Sequence, residues 1–254
     1  ENELENAINF KKNKKSLNTL GKFGWGLKTA SFSQASLLTI LTKKNNKISF
    51  INIDKNLNQI ETNLSKIFIK YKNLEKWFNN RASVSGTAII WSDLKDNILG
   101  TSYLNDKKRA HAIFYSVGQK VSEYASMCFH NYLDKTNIYF NEQLIDKMDP
   151  FKNIENLIEY PVKEIVIDDS KILIGGVLFP NEENIDDDEL YQELGCFDGW
   201  YDSQGIYIYR ENRLIDWGGW FELKKNGREM WKREEKFKRC RIYLKYESKL
   251  DHIF

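Results

Sequence analysis

Gly21-Lys22-Phe23-Gly24-Trp25-Gly26-Leu27-Lys28-Thr29-Ala30-Ser31 is the stretch on which the reading of this chain turns. Its glycines let the backbone take positive φ values and approach a ligand with no Cβ in the way. A helix leaving the loop near Leu27 would aim its unpaired N–H groups, and the positive end of its dipole, back at the loop. Such helix starts hold phosphates. Lys28 adds a point charge and Ser31 a hydroxyl. No strand feeds directly into the loop, as a dinucleotide fingerprint requires, and the Gly-Lys-Ser/Thr ending of a P-loop is absent. Taken alone, the glycine pattern leaves a structural turn as the alternative.

Working outward, residues 3–10 have helical spacing (Leu4, Ala7, Ile8) and lead through a basic stretch, Lys11 to Lys15, into the glycines. Residues 29–38 suit the departing helix. Residues 37–42 and 47–54 read as strands joined by a turn at 43–46. Residues 64–78 carry apolar side chains at helical spacing, and 85–91 form a glycine-led apolar strand. The best amphipathic helix covers 109–133. A hairpin turns at Asn141-Glu142 between 138–140 and 144–145. The pattern changes near Asp149-Pro150-Phe151, where a domain boundary is expected. Beyond it, strands are expected at 162–167, 171–178, 205–209 and 241–246. The acidic run from Glu182 to Glu189 reads as a solvated loop.

Composition narrows the function classes. The 254 residues hold 38 Lys+Arg against 36 Asp+Glu, a net charge of +2 that marks no global nucleic-acid binder. Cys128, Cys196 and Cys240 lie far apart, with neither zinc spacing nor an even count for disulfides. With His111, His130 and His252 equally scattered, a reducing, cytoplasmic setting without a structural metal is expected. No run of about 18 apolar residues suggests a membrane span, and no signal peptide is read. Ser, His and Asp residues suggest no hydrolytic triad, and His130 is expected in the core.

The segment Gly-x-Phe-Gly-x-Gly-Leu-Lys-x-Ala-Ser, preceded by a Glu-Leu-x-x-Ala-Ile helix, resembles the second glycine motif of the GHKL superfamily. That group contains gyrase B, heat-shock chaperones, histidine kinases and MutL, and the Leu-Lys-x-Ala-Ser ending is most similar to its MORC-like bacterial branch. The resemblance implies that Gly21, Lys22, Phe23, Gly24, Trp25, Gly26, Leu27 and Lys28 form an ATP lid whose amides wrap the triphosphate. Ser85-Gly86-Thr87-Ala88-Ile89-Ile90-Trp91-Ser92-Asp93-Leu94 resembles the family's Gly-Thr strand, which implies that Thr87 holds the adenine end. The tract 205–215 resembles the strand-turn-strand of the transducer domain. The fold so implied is α/β (α+β). A truncated Bergerat-type ATP-binding sandwich would cover residues 1–151, and a smaller transducer-like α/β domain, 152–254. Expected cofactors are ATP and Mg²⁺, and the expected assembly is a homodimer closing on ATP, in bacterial DNA handling or defence.

The resemblance breaks where hydrolysis would be carried out. GHKL enzymes set a catalytic glutamate and a magnesium-binding asparagine on one helix, Glu-x-x-x-Asn-x-x-Asp, and an adenine-binding Asp-x-Gly-x-Gly follows it. In Glu3-Leu4-Glu5-Asn6-Ala7-Ile8-Asn9 the register is wrong, and only 14 residues separate Asn6 from Gly21. The catalytic helix is therefore expected upstream, outside this chain, and the catalytic residues stay unassigned. The alternative reading is a nucleic-acid-binding or scaffold protein on a degenerate, non-hydrolysing GHKL fold. The feature favouring it is residues 224–245, where ten basic residues interleave with Trp231, Phe237 and Tyr243. The plainer reading of that stretch is a solvated helix. Trp217-Gly218-Gly219-Trp220 is expected to close a turn, with stacking on bases as the functional alternative.

Overall fold

The structure is a computed structural model, and it describes residues 26–82, 84–95, 106–225 and 227–252. Helices and strands alternate in an α/β arrangement, as expected. The chain divides into two compact units between Phe114 and Tyr115.

In the first unit, helix α1 (Gly26–Gln34) runs without a loop into strand β1 (Ala35–Lys44), followed by β2 (Lys47–Asp54), α2 (Leu64–Lys70), α3 (Leu74–Arg81) and β3 (Gly86–Leu94). The helix expected to reach residue 38 stops at Gln34, because Leu37, Leu38 and Thr39 go into the sheet instead. The three strands pair antiparallel in the order β2-β1-β3, with β1 central. The β1–β2 hairpin turns on Asn45 and Asn46, at φ 49° and 63°. Two successive positive φ values match the twist of the strands they join, and asparagine tolerates them. The single helix expected at 64–78 is two helices. Asn63 caps α2 by accepting from the Ser65 N–H, and Asn73, at φ 68°, breaks the run before α3.

Pairing of Leu41 with both Phe50 and Ala88 puts one face of this sheet against α2 and α3. There Leu41, Ile67, Phe78, Ala82 and Ala88 make a buried cluster. Asn52, buried on that face, donates to Thr39 Oγ1 at 2.7 Å, so its amide is not left unsatisfied. The opposite face carries Leu38, Ile40 and Ile53, and Leu27 and Phe32 of α1 pack on it.

Helix α4 (Lys107–Cys128) crosses the division between the units, and α5 (His130–Leu133) follows it. The second unit then holds the small hairpin β4 (Tyr139–Phe140) and β5 (Gln143–Leu144), and β6 (Ile158–Ile167) and β7 (Ser170–Leu178). Next come α6 (Asp188–Leu194), α7 (Gly199–Asp202), β8 (Gly205–Arg210) and β9 (Arg213–Trp217). A short hairpin, β10 (Lys224–Lys225) and β11 (Arg228–Glu229), precedes β12 (Cys240–Tyr246). Five strands form one sheet in the order β6-β7-β12-β8-β9, with β12 antiparallel to β7 and parallel to β8. Pro161 lacks an N–H, and the register of edge strand β6 shifts between Tyr160 and Lys163 around it.

The boundary expected at 151/152 lies inside this second unit. The expected solvated helix at 224–245 is not what forms: β10, β11, a 3₁₀ turn (Glu235–Phe237) and β12 take its place. Strand β12 pairs with β7 on one side and β8 on the other, and Arg241 and Tyr246 are buried there on opposite faces. The acidic run is also more than a loop, since Asp187 caps α6 by accepting from the N–H groups of Glu189 and Leu190.

Trp217-Gly218-Gly219-Trp220 does close a turn. Gly218 and Gly219 lie at φ 77° and 80°, and a Cβ on Gly205 would sit 2.0 Å from the Gly219 carbonyl. Trp220 is buried with its indole N–H on Gln204 Oε1, and Trp217 meets the Tyr124 ring at a tilt, centroids 5.1 Å apart. Both rings are engaged within the second unit. Among the described residues, no helix is long and apolar enough to cross a membrane.

Candidate functional site

Of the lid residues expected from the sequence, Gly21, Lys22, Phe23, Gly24 and Trp25 lie outside the described residues. Gly26, Leu27 and Lys28 form the first turn of α1. Among the described residues, a Cβ on Gly26 would meet nothing within 4 Å. Leu27 packs on the cluster of Leu38, Ile40 and Ile53. Lys28 is only 2% exposed, and burial pushes its ammonium below the usual lysine pKa.

The direction of α1 follows from its contacts. At its C-terminal end, the Gln34 carbonyl accepts from the Lys95 backbone N–H at 2.8 Å, and the Phe32 carbonyl from the Lys95 ammonium. One turn earlier, Ser31 Oγ accepts from Trp91 Nε1 at 2.9 Å, and Trp91 pairs with Leu38. A further turn back, Leu27 reaches the cluster containing Ile40. Helix α1 therefore folds back over β1, its N-terminus pointing toward the end of the sheet where Thr42 pairs with Thr87.

Thr87 occupies the second position of β3, exposed, on the same face as Ile89, Trp91 and α1. Its hydroxyl lies 3.3 Å from Thr42 Oγ1, which holds it beside β1. The first turn of α1 and Thr87 thus share one face and look toward one end of it. Backbone amides at a helix start and a buried ammonium suit an anion, and a strand hydroxyl suits a neutral polar group. The donor set fits a phosphorylated nucleotide better than an apolar ligand.

Ser31 departs from expectation. It is fully buried, and its Oγ accepts from the Trp91 indole N–H. The only sequence sign of this link is Trp91 standing at strand spacing from Thr87, so that both face α1.

Elsewhere, candidates resolve into structure. His130 is buried, with Nδ1 2.6 Å from the Met127 carbonyl and Nε2 3.4 Å from Tyr209 Oη. Desolvation holds it below the usual histidine pKa, against the Met127 carbonyl and Asp149, which raise it. The basic stretch is largely committed. Arg233, Lys236 and Lys238 pair with Asp202, Glu234 and Glu235. Arg239 donates to the Phe179 carbonyl, and Arg241 is buried. Lys245 lies over the rings of Tyr209 and Tyr243. Six of the ten basic residues of that stretch thus have partners within the fold or are buried. Among the described residues, no group of three His, Cys, Asp or Glu side chains could hold a metal ion.

Residues 1–87 match the family model described as histidine kinase-, DNA gyrase B-, and HSP90-like ATPase. The match runs through the glycine segment, the three helices and first two strands of the first unit, and ends on Thr87. It supports the GHKL superfamily and ATP binding for this part of the chain. No curated protein matches the chain.

Proposed function

We propose that this protein binds ATP in its first unit and that the segment from Gly21 to Lys28 grips the triphosphate. What supports the reading is the start of α1: a helix N-terminus, with buried Lys28 in its first turn, directed toward the Thr87 end of the sheet. The α1 amides and Lys28 neutralise phosphate charge, and Thr87 orients the adenine end by a hydrogen bond from its hydroxyl. ATP, when bound, supplies a phosphoanhydride. The residues that would cleave it, and those that would hold Mg²⁺, are not assigned in this chain, so no hydrolytic step is derived. Superfamily members generally hydrolyse ATP, and we extend Mg²⁺-dependent ATPase activity to this protein on that ground alone. The division into an ATP-binding domain (1–151) and a transducer-like domain (152–254) belongs to the same proposal. So does lid closure that drives homodimerisation in cytoplasmic DNA handling or defence. Both rest on the MORC-like resemblance.

Equilibrium binding of radiolabelled ATP to the full chain tests the reading, with Gly24→Val as the control. Saturable binding by the wild type, lost when a β-branched side chain enters the glycine segment, is the expected result. No binding by the wild type, or equal binding by the variant, overturns it.

A further inference from the structure

Trp91 presents a contradiction on its surface. Its indole is 42% exposed, so water could satisfy its N–H, yet that N–H is spent on the hydroxyl of Ser31, which is 0% exposed. A directional bond from a rim side chain into a buried group sets a position. The position at stake is that of α1. A helix of nine residues has little stability of its own, so its contacts decide where it lies and which way it is turned.

Those contacts divide by location. Leu27 and Phe32 give a non-directional apolar anchor on Leu38, Ile40 and Ile53. Both Lys95 contacts hold the last turn, at Phe32 and Gln34, where the helix passes into β1. The bond to Trp91 lies nearer the glycine segment, on Ser31, three residues after Lys28. Residues three apart share one helix face, and both Lys28 and Ser31 are buried. The Trp91 bond therefore adds a directional constraint to the apolar anchor, on the helix face that carries Lys28.

We infer that the Trp91–Ser31 hydrogen bond is a latch that seats helix α1 on β3, making Trp91 a positioning residue for Lys28 at the phosphate side of the nucleotide site. This rests on the ATP-binding reading above. Strand β3 then carries two groups on one face: Thr87 for the adenine end, and Trp91 for the helix that meets the phosphates. The two ends of the nucleotide are held in register by one strand.

The test is ATP affinity in the full chain for wild type, Trp91→Phe, Ser31→Ala and the double variant. Binding is measured well below each protein's unfolding midpoint, and the midpoint is recorded alongside. Losing one neutral hydrogen bond predicts about a five-fold weaker Kd for ATP in each single variant. The double variant should be no weaker than either, because both changes remove the same bond. Should Trp91→Phe fail to fold, Ser31→Ala carries the same prediction with a smaller change of volume. A bond that only stabilised the fold would lower the midpoint and leave the Kd of the folded protein unchanged, and that result overturns the latch. Losses that multiply in the double variant overturn it as well. A wild type that binds no ATP removes the nucleotide reading itself. A wild type that binds ATP, matched in affinity by Trp91→Phe, removes the latch alone.

Discussion

Lys28 in the first unit and Arg241 in the second are both cations taken almost wholly out of water, and their surroundings differ in kind. Arg241 is closed in by its own chain. Its guanidinium donates to the carbonyls of Pro150 and Leu194, and the rings of Phe179, Trp200 and Tyr207 lie within 6 Å of it. Planar geometry with several donors lets arginine serve carbonyls and aromatic faces at once. Lys28 instead sits in the first turn of a short helix, at the edge of a glycine-rich segment. A buried cation surrounded by ring faces and carbonyls ties a core together. One placed where a helix starts and the backbone can approach closely is, on the proposed function, held for a ligand.

The largest effect should come from Arg241→Ala. Two buried carbonyls lose their donor and the rings lose a filled centre, so unfolding in denaturant should show a loss of about 4 kcal/mol. Lysine should not rescue it, since a point charge cannot reach the same carbonyls in the same plane. A variant as stable as the wild type would break the contrast between the two cations.

Lys28→Ala should act the other way round. ATP affinity should fall by about 10- to 100-fold, the range for a hydrogen bond to a charged group. The loss in affinity should exceed any loss in stability. Parallel titration of ATP and denaturant separates these outcomes, and lost stability with unchanged affinity would make Lys28 a second Arg241. Thr87→Val keeps the strand and removes only the hydroxyl. ATP should bind about five-fold more weakly, with the unfolding midpoint nearly unchanged.

The smallest effect concerns the core of the second unit. His130, faced by Asp149, Tyr209, Lys245 and Lys147, titrates below its usual value because burial disfavours its charged form. Between that lowered value and about 6.5 the unfolded chain binds the extra proton and the folded one does not. Stability contributed at neutral pH is therefore lost as pH falls below about 6.5. Unfolding midpoints at pH 7.5 and 5.5 should show the drop, and His130→Gln should flatten it. An unchanged slope in that variant would assign the drop to another group.

Much of the architecture was legible because it rests on local chemistry. Two asparagines at 45–46, and Glu211-Asn212 at φ 49° and 62°, mark their hairpins in the sequence. The largely apolar run from Leu37 to Leu41 announces a strand buried on both faces. Reading failed where distant partners decided the outcome. Residues 224–245 look like a solvated basic helix until β7 and β8 flank residues 240–246 and draw Arg241 into the core. The helix expected at 64–78 is cut by one left-handed asparagine that propensity does not register. Ser31 could be read as a phosphate ligand because nothing nearby in sequence shows that an indole 60 residues later donates to its hydroxyl.

The sequence by itself determined the glycine segment, the Gly86-Thr87 strand and their order, because backbone freedom and side-chain chemistry are properties of the residues themselves. It also showed that the residues expected to cleave ATP cannot be assigned here. Only the tertiary structure decided which way α1 points, that Lys28 is buried, and that Ser31 accepts from Trp91. Those depend on strand register, which places residues far apart in the chain on one face, and no local pattern encodes it.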